Sequence, residues 1–194
     1  IAGGTVQVRG VPDRGIPVAK LASMSMEFGS KYEPIFGRGS TAIVARAPGF
    51  AVHLSEVDVD VDSGDVRPVR HLVVQDVGRA LNPAAIDGQI RGAVAQGIGW
   101  ALLERMAYDE HGRLQSATLM DYALPQVDQV PAMETVLVEV PAEAGPFGAK
   151  GVGEPPVVGA PAAVANAVAD ATGTRFTELP IRREDVVRGM RVAE

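Results

Sequence analysis

No cysteine occurs among the 194 residues. Disulfides, thiolate zinc sites, iron–sulfur ligation and cysteine nucleophiles are therefore outside what this chain can supply. Aromatic residues are scarce, at 5%. No basic cluster stands against the formal net charge of −6, and an acidic surface repels a phosphate backbone, so no nucleic-acid partner is expected. No apolar run approaches the roughly 20 residues that a membrane-crossing helix needs, so no membrane span is expected. The first residues, Ile1-Ala-Gly-Gly-Thr-Val-Gln-Val, have neither an initiator Met nor the basic and apolar blocks of a signal peptide. They read as the interior of a longer chain.

What remains is ordinary for a packed core, with 46% hydrophobic and 22% charged residues. The length fits one domain, 1–194, or one large piece of a bigger subunit. Glycine (22) and proline (14) are abundant, so shaped turns are expected. They concentrate at 145–161, Gly-Pro-Phe-Gly-Ala-Lys-Gly-Val-Gly-Glu-Pro-Pro-Val-Val-Gly-Ala-Pro, where five of seventeen residues are glycine and four are proline. Such a stretch is neither a helix interior nor a central strand. Its glycines allow close backbone approach, its prolines stiffen the chain, and it holds one lysine, Lys150, and one carboxylate, Glu154. The pattern suits a backbone fitted to a ligand with one acid aimed at it; a tight surface loop with a solvated glutamate is the alternative. A phosphate-cradling P-loop is excluded because Gly151, not Ser or Thr, follows Lys150, and a dinucleotide fingerprint because Pro156 stands where it needs glycine.

Along the chain, Thr5–Arg9 alternates as a short strand, and Pro17 suits the start of a helix running to about Met26. Residues 29–40 read as a loop, and Thr41–Ala47, Phe50–Asp62 and Val66–Gln75 as strands. Asp58, Asp60 and Asp62 do not make a calcium loop, because Ser63 and Val69 occupy the places that need Gly and Glu. They read as one polar strand face leading to a Ser63-Gly64 hairpin turn. His53 and His71 lack a partner at metal-ligand spacing and read as structural, and His111 as an exposed turn residue. Leu114–Leu124 and Thr135–Val140 are read as strands, Pro125–Ala132 as an irregular link, Pro161 as the first residue of a small-residue helix ending at Gly173, and Arg183–Gly189 as a short helix.

Asn82 is a natural N-cap and Pro83 a natural first residue for a helix reaching to about Met106. Ile90, Val94, Ile98, Ala101 and Leu102 share its apolar face. Gln89 and Gln96, seven residues apart, project within about 20° of each other, away from that stripe. Glycines 88, 92, 97 and 99 interrupt the helix at roughly 1 kcal/mol each relative to alanine, so a compensating close contact is expected. It is either a neighbouring element or a polar ligand seated on the Gln/Gly face.

Three motifs now stand in series: Asp76-Val-Gly-x-x-x-Asn82-Pro83, Gly88-Gln89-Ile-x-Gly92-x-x-x-Gln96-Gly97-Ile-Gly99, and Gly148-Ala-Lys150-Gly-Val-Gly-Glu154-Pro-Pro. Their order and spacing resemble the C-terminal end of the molybdopterin-binding large subunit of the molybdenum hydroxylases, the family of xanthine dehydrogenase, aldehyde oxidase and carbon monoxide dehydrogenase. The resemblance covers nearly the whole chain. It implies an enzyme that hydroxylates a C–H carbon of a heterocycle or aldehyde with oxygen from water, and it places Glu154 as the general base beside the metal. It also implies that Lys150, Gly151, Val152 and Gly153, with Gln89 and Gln96, surround the pyranopterin and its phosphates, with Asp76 and Asn82 as further contacts or turn formers.

The implied cofactor is molybdenum–molybdopterin in its cytosine dinucleotide form. The implied partners are the N-terminal part of the large subunit, an iron–sulfur (2Fe-2S) subunit, an FAD subunit and a small-molecule substrate, in the cytoplasm. The expected fold class is α+β, a two-layer antiparallel sheet with packed helices. The competing readings are a metal-free structural or assembly domain of such a complex and a binding module for another phosphate-bearing ligand.

Overall fold

A computed structural model describes residues 1–34, 36–40 and 46–193. The chain divides into two compact units, 1–42 and 43–194. In the first, β1 (Thr5–Val8) pairs antiparallel with β2 (Val11–Pro17), and helix α1 (Val18–Ser25) follows directly. Pro17 sits one residue before the helix, where its missing N–H costs nothing. Of the strand expected at 41–47, residues 41–45 lie outside the described residues, and 46–47 are irregular.

The second unit is built on one sheet of order β3-β4-β5. Strands β3 (Ala51–Val59) and β4 (Val66–Asp76) form the expected hairpin. The Asp60 carboxylate accepts from the backbone N–H groups of Asp62 and Ser63, so the acid ladder ends in a side-chain-stabilised turn. Helix α2 (Pro83–Leu102) follows, then β5 (Ala132–Val138), helix α3 (Pro155–Thr172) and helix α4 (Arg183–Ala193). The core joins Val73 and Val77 to Ile86, Ile90, Val94 and Ile98 of α2 and to Ala160, Val164 and Val168 of α3.

The expectation of an antiparallel sheet needs correction: β5 runs parallel to β4, so the architecture is mixed. The reason lies in the connection. Residues 114–124, expected as a strand, form turns instead; Asp121 and Tyr122 donate their N–H groups to the Thr118 carbonyl, and the Thr118 hydroxyl donates to Asp121. Side chains of this kind satisfy the backbone locally and compete with a ladder. The next strand after β4 is therefore β5, reached across α2, and a helical crossover returns the chain in the same direction.

Two helix boundaries also differ from the sequence reading. Helix α2 stops at Leu102 rather than near Met106. The Gly99 carbonyl accepts from both Leu103 and Glu104, and the Ala101 carbonyl is taken by Ile181. Helix α3 starts at Pro155, six residues before Pro161, which lies inside the helix. Pro155 and Pro156 fill the first two positions, where no intrahelical N–H bond is needed. Gly173 ends the helix in the left-handed conformation, as expected.

Candidate functional site

Asp76 closes β4, and its carboxylate gathers three donors. The backbone N–H of Gly78 donates to Oδ1 at 2.9 Å, that of Val140 at 3.4 Å, and Lys150 Nζ donates to Oδ2 at 2.6 Å. The Asp76 and Lys150 side chains are 11% and 9% exposed. The lysine ammonium and then the Gly78 N–H hold the Asp76 carboxyl below its usual range. Backbone contacts reinforce the pair: Lys150 N–H donates to the Val77 carbonyl, and Arg79 N–H to the Gly148 carbonyl. Gly78 has φ +67°, and a Cβ there would collide with the Gly148 carbonyl and stand 2.8 Å from Lys150 Cγ. The first and third sequence motifs are thus one physical object, a turn clamped onto a loop.

Beyond the clamp, Gly151, Gly153 and Glu154 are exposed, while Val152 packs against the core. Glu154 is the N-cap residue of α3, and its side chain makes no capping bond. The two prolines that follow have no N–H to offer, and among the described residues the carboxylate has no hydrogen-bond partner at the positive end of this 18-residue helix. The second motif comes alongside through Gln89, whose Oε1 lies 3.9 Å from where a Gly153 Cβ would stand. Helices α2 and α3 run in the same direction here, since Gly97 meets Ala160 further along both.

The sequence-predicted residues therefore separate into groups. Gln89, Gly151, Val152, Gly153 and Glu154 come together, and Gln96 is exposed farther along α2. Asp76 and Lys150 spend their charges on each other. Asn82 caps α2, its Oδ1 accepting from Ala85 N–H at 3.1 Å. Of the four helix glycines, Gly97 and Gly99 are packed, against Ala160 and Pro161 and against Glu104 and Pro125 respectively, whereas Gly88 and Gly92 face open space.

One feature escaped the sequence reading: a polar row on the helix-facing side of the sheet. His53 Nδ1 and His71 Nε2 share a hydrogen bond of 3.0 Å, and His71 Nδ1 lies 3.3 Å from Ser55 Oγ. Gln75, on the same face of β4, is buried with no partner for its amide among the described residues. The only available signal was the placement of His53, His71 and Gln75 at alternate, inward-facing strand positions.

A family profile described as the molybdopterin cofactor-binding domain matches residues 1–131. The chain belongs to this family. It is 39% identical over 158 residues to the nicotine 6-hydroxylase large subunit of Paenarthrobacter nicotinovorans, covering 80% of this chain and 18% of that one. It is 33% identical over 171 residues to the putative xanthine dehydrogenase molybdenum-binding subunit XdhA of Escherichia coli K12, covering 85% and 22%. Among solved structures, quinoline 2-oxidoreductase from Pseudomonas putida 86 matches with a TM-score of 0.77 and 32% identity over 97% of this chain and 25% of that one. The chain thus spans about a fifth of the length of the curated relatives it matches. The resemblance to molybdenum-hydroxylase large subunits, read from three motifs, is borne out.

The residues present suit a bound pterin group on an observation internal to this chain. Gly88, Gly92 and Gly151 have open space where a Cβ would stand, Gly153 meets only Gln89 at ordinary contact distance, and none of the four has positive φ. Neither backbone conformation nor crowding within the chain calls for glycine at these places. Gly153 borders the exposed Gln89 amide, and Gly88 and Gly92 lie on the same helix as that residue; bare backbone beside an exposed amide is what close approach by a flat polar ligand requires.

Proposed function

We propose that this chain forms one wall of the cofactor site of a molybdenum-dependent oxidoreductase, with Glu154 as the general base. The reaction is hydroxylation of an electron-poor C–H carbon of a heterocycle or aldehyde by water-derived oxygen. The observation that carries the reading is the position of Glu154, unpaired among the described residues at the head of α3 and directly after Gly153, which faces the Gln89 amide. When bound, the molybdenum–pterin group, here in its cytosine dinucleotide form, would supply the two-electron oxidant.

The residues of this chain do the rest. Gln89 and Gln96 offer amide donors and acceptors to the pterin edge, and the Lys150–Gly153 backbone lines it. The Glu154 carboxylate takes the proton of the water whose oxygen enters the product, a role general bases fill at about 10²–10⁴-fold in rate. Electrons leave through 2Fe-2S and FAD groups on partner chains, a cysteine-free chain having no thiolates to hold the iron–sulfur cluster, and the N-terminal part of the large subunit completes the pocket. On the family resemblance, we place this complex in the cytoplasm; among the described residues no helix is long and apolar enough to cross a membrane.

Glu154→Gln in the intact complex is the test. Turnover falls by about 10² or more while molybdenum and pterin stay bound. Full activity in that variant overturns the assignment of the base, and an intact complex that holds no molybdenum supports the structural-domain reading instead. The phosphate-module reading is weakened by Pro155 and Pro156, since the head of α3 lacks the N–H groups that hold a phosphate at a helix N-terminus.

A further inference from the structure

We propose that Asp76 and Lys150 form a positioning latch that sets the location of Glu154 and of the Gly151–Gly153 backbone, rather than contacting the cofactor through their side chains. The part of this inference that concerns turnover rests on the reading of Glu154 as the base; the part that concerns the loop does not.

The geometry isolates what the pair does. Glu154 lies between two fixed points. Downstream, Pro156 is fully buried at the start of α3. Upstream, Lys150 is held twice, by its N–H on the Val77 carbonyl at 3.1 Å and by Nζ on Asp76 at 2.6 Å. Between them run only Gly151, Val152, Gly153, Glu154 and Pro155; two of these five are glycine, and Val152 alone of the first four packs against the core. A tether of that composition does not hold a carboxylate at a defined place unless both ends are fixed. The lysine end is fixed from the far side of the sequence, 74 residues away, at the end of β4.

The lysine ammonium is also spoken for. Its side chain is 9% exposed and directed into the turn, and the partner carboxylate is itself fixed by Gly78 and Val140 N–H groups. Asp76 therefore acts through Lys150, and Lys150 acts through the backbone that follows it.

The test uses the intact protein that carries this chain, both loaded and stripped of its cofactor. Lys150→Met removes the cation at similar length. Asp76→Asn with Lys150→Met removes both charges, leaves no unpaired buried charge, and keeps an oxygen for the Gly78 N–H, so one folded variant is retained even if the single change unfolds. In the stripped protein, amide hydrogen exchange at Arg79, Ala149 and Lys150, whose N–H groups are hydrogen-bonded here, rises at least tenfold in the double variant, while exchange in β4 and the middle of α2 stays unchanged. In the loaded protein kcat drops tenfold or more, with KM within about twofold and molybdenum content retained. Unchanged exchange at Arg79, Ala149 and Lys150 overturns the latch. Loss of cofactor with unchanged exchange overturns it in favour of direct contact by Lys150. Faster exchange with unaltered kcat leaves the loop anchored as described but overturns its role in placing the base.

Discussion

The imidazoles of His53 and His71 are hydrogen-bonded to each other at 3.0 Å, one from each strand of the β3–β4 hairpin. A Cβ on Gly159 of α3 would collide with the His53 ring, so the helix rests directly on that residue. His71 is fully buried, and desolvation, followed by repulsion from His53, lowers its pKa to about 4. Desolvation lowers that of His53 as well. Both rings are therefore neutral in the folded chain at neutral pH, and the unfolded chain takes up protons first, near pH 6.5. The stability tied to the neutral pair is complete above about pH 6.5 and erodes as the pH falls towards 4. For His71 the loss is on the order of 3 kcal/mol. Denaturant unfolding across pH 4 to 8 checks this. A stability that is flat between pH 6.5 and 4.5 contradicts it.

Gly97 is the contact point of α2 with α3. A Cβ there would stand 2.5 Å from the Ala160 Cβ and 3.1 Å from Pro161 Cδ. Gly97→Ala is expected to destabilise by about 1–3 kcal/mol, although alanine is the better helix former. Pairing it with Ala160→Gly removes the clash, and the double-mutant cycle should return a favourable coupling. Additive losses would mean that the helices do not meet there.

Gly92 carries the opposite expectation. Among the described residues nothing lies within 4 Å of a Cβ at this position, so Gly92→Ala stabilises the chain by about 1 kcal/mol through helix propensity alone. If the bare helix face receives the pterin, the same substitution lowers the molybdenum and pterin content of the purified complex. A stabilised variant with full cofactor content would show that the face is not in contact with the group.

Gly151→Ala and Gly153→Ala extend this logic to the loop. Neither glycine has positive φ or a crowded Cβ position, so thermal unfolding of the cofactor-free chain should be nearly unchanged, within about 0.5 kcal/mol. Cofactor retention should fall. Destabilisation of the cofactor-free chain by either variant would mean that the glycines serve the fold.

Much of this fold is legible in the sequence. The Asn82-Pro83 start of α2, its buried stripe from Ile90 to Ala101, the β3–β4 hairpin and the Gly173 stop are local patterns, and local patterns report backbone preference. The three motifs in series carried the family, because each is short but their order is improbable by chance. The boundary of α3 was misplaced because Pro155, Pro156 and Pro161 are all acceptable helix starters in isolation. Only the packing of Ala160 and Pro161 against Gly97 shows that the third proline lies within a helix already under way.

Residue type and spacing alone determined the lack of cysteine thiols and the candidacy of Glu154, Gln89 and Gln96, and the three motifs in series carried the resemblance to the family. Tertiary structure alone decided that β5 joins β4 in parallel, that Asp76 neutralises Lys150, that His53 meets His71, and that Gly97 serves packing while Gly92 stays bare. Each of these is a contact between residues far apart along the chain. Nothing in the local backbone preference of either partner encodes such a contact; it exists only once the hydrophobic face of α2 has been buried against the sheet and α3.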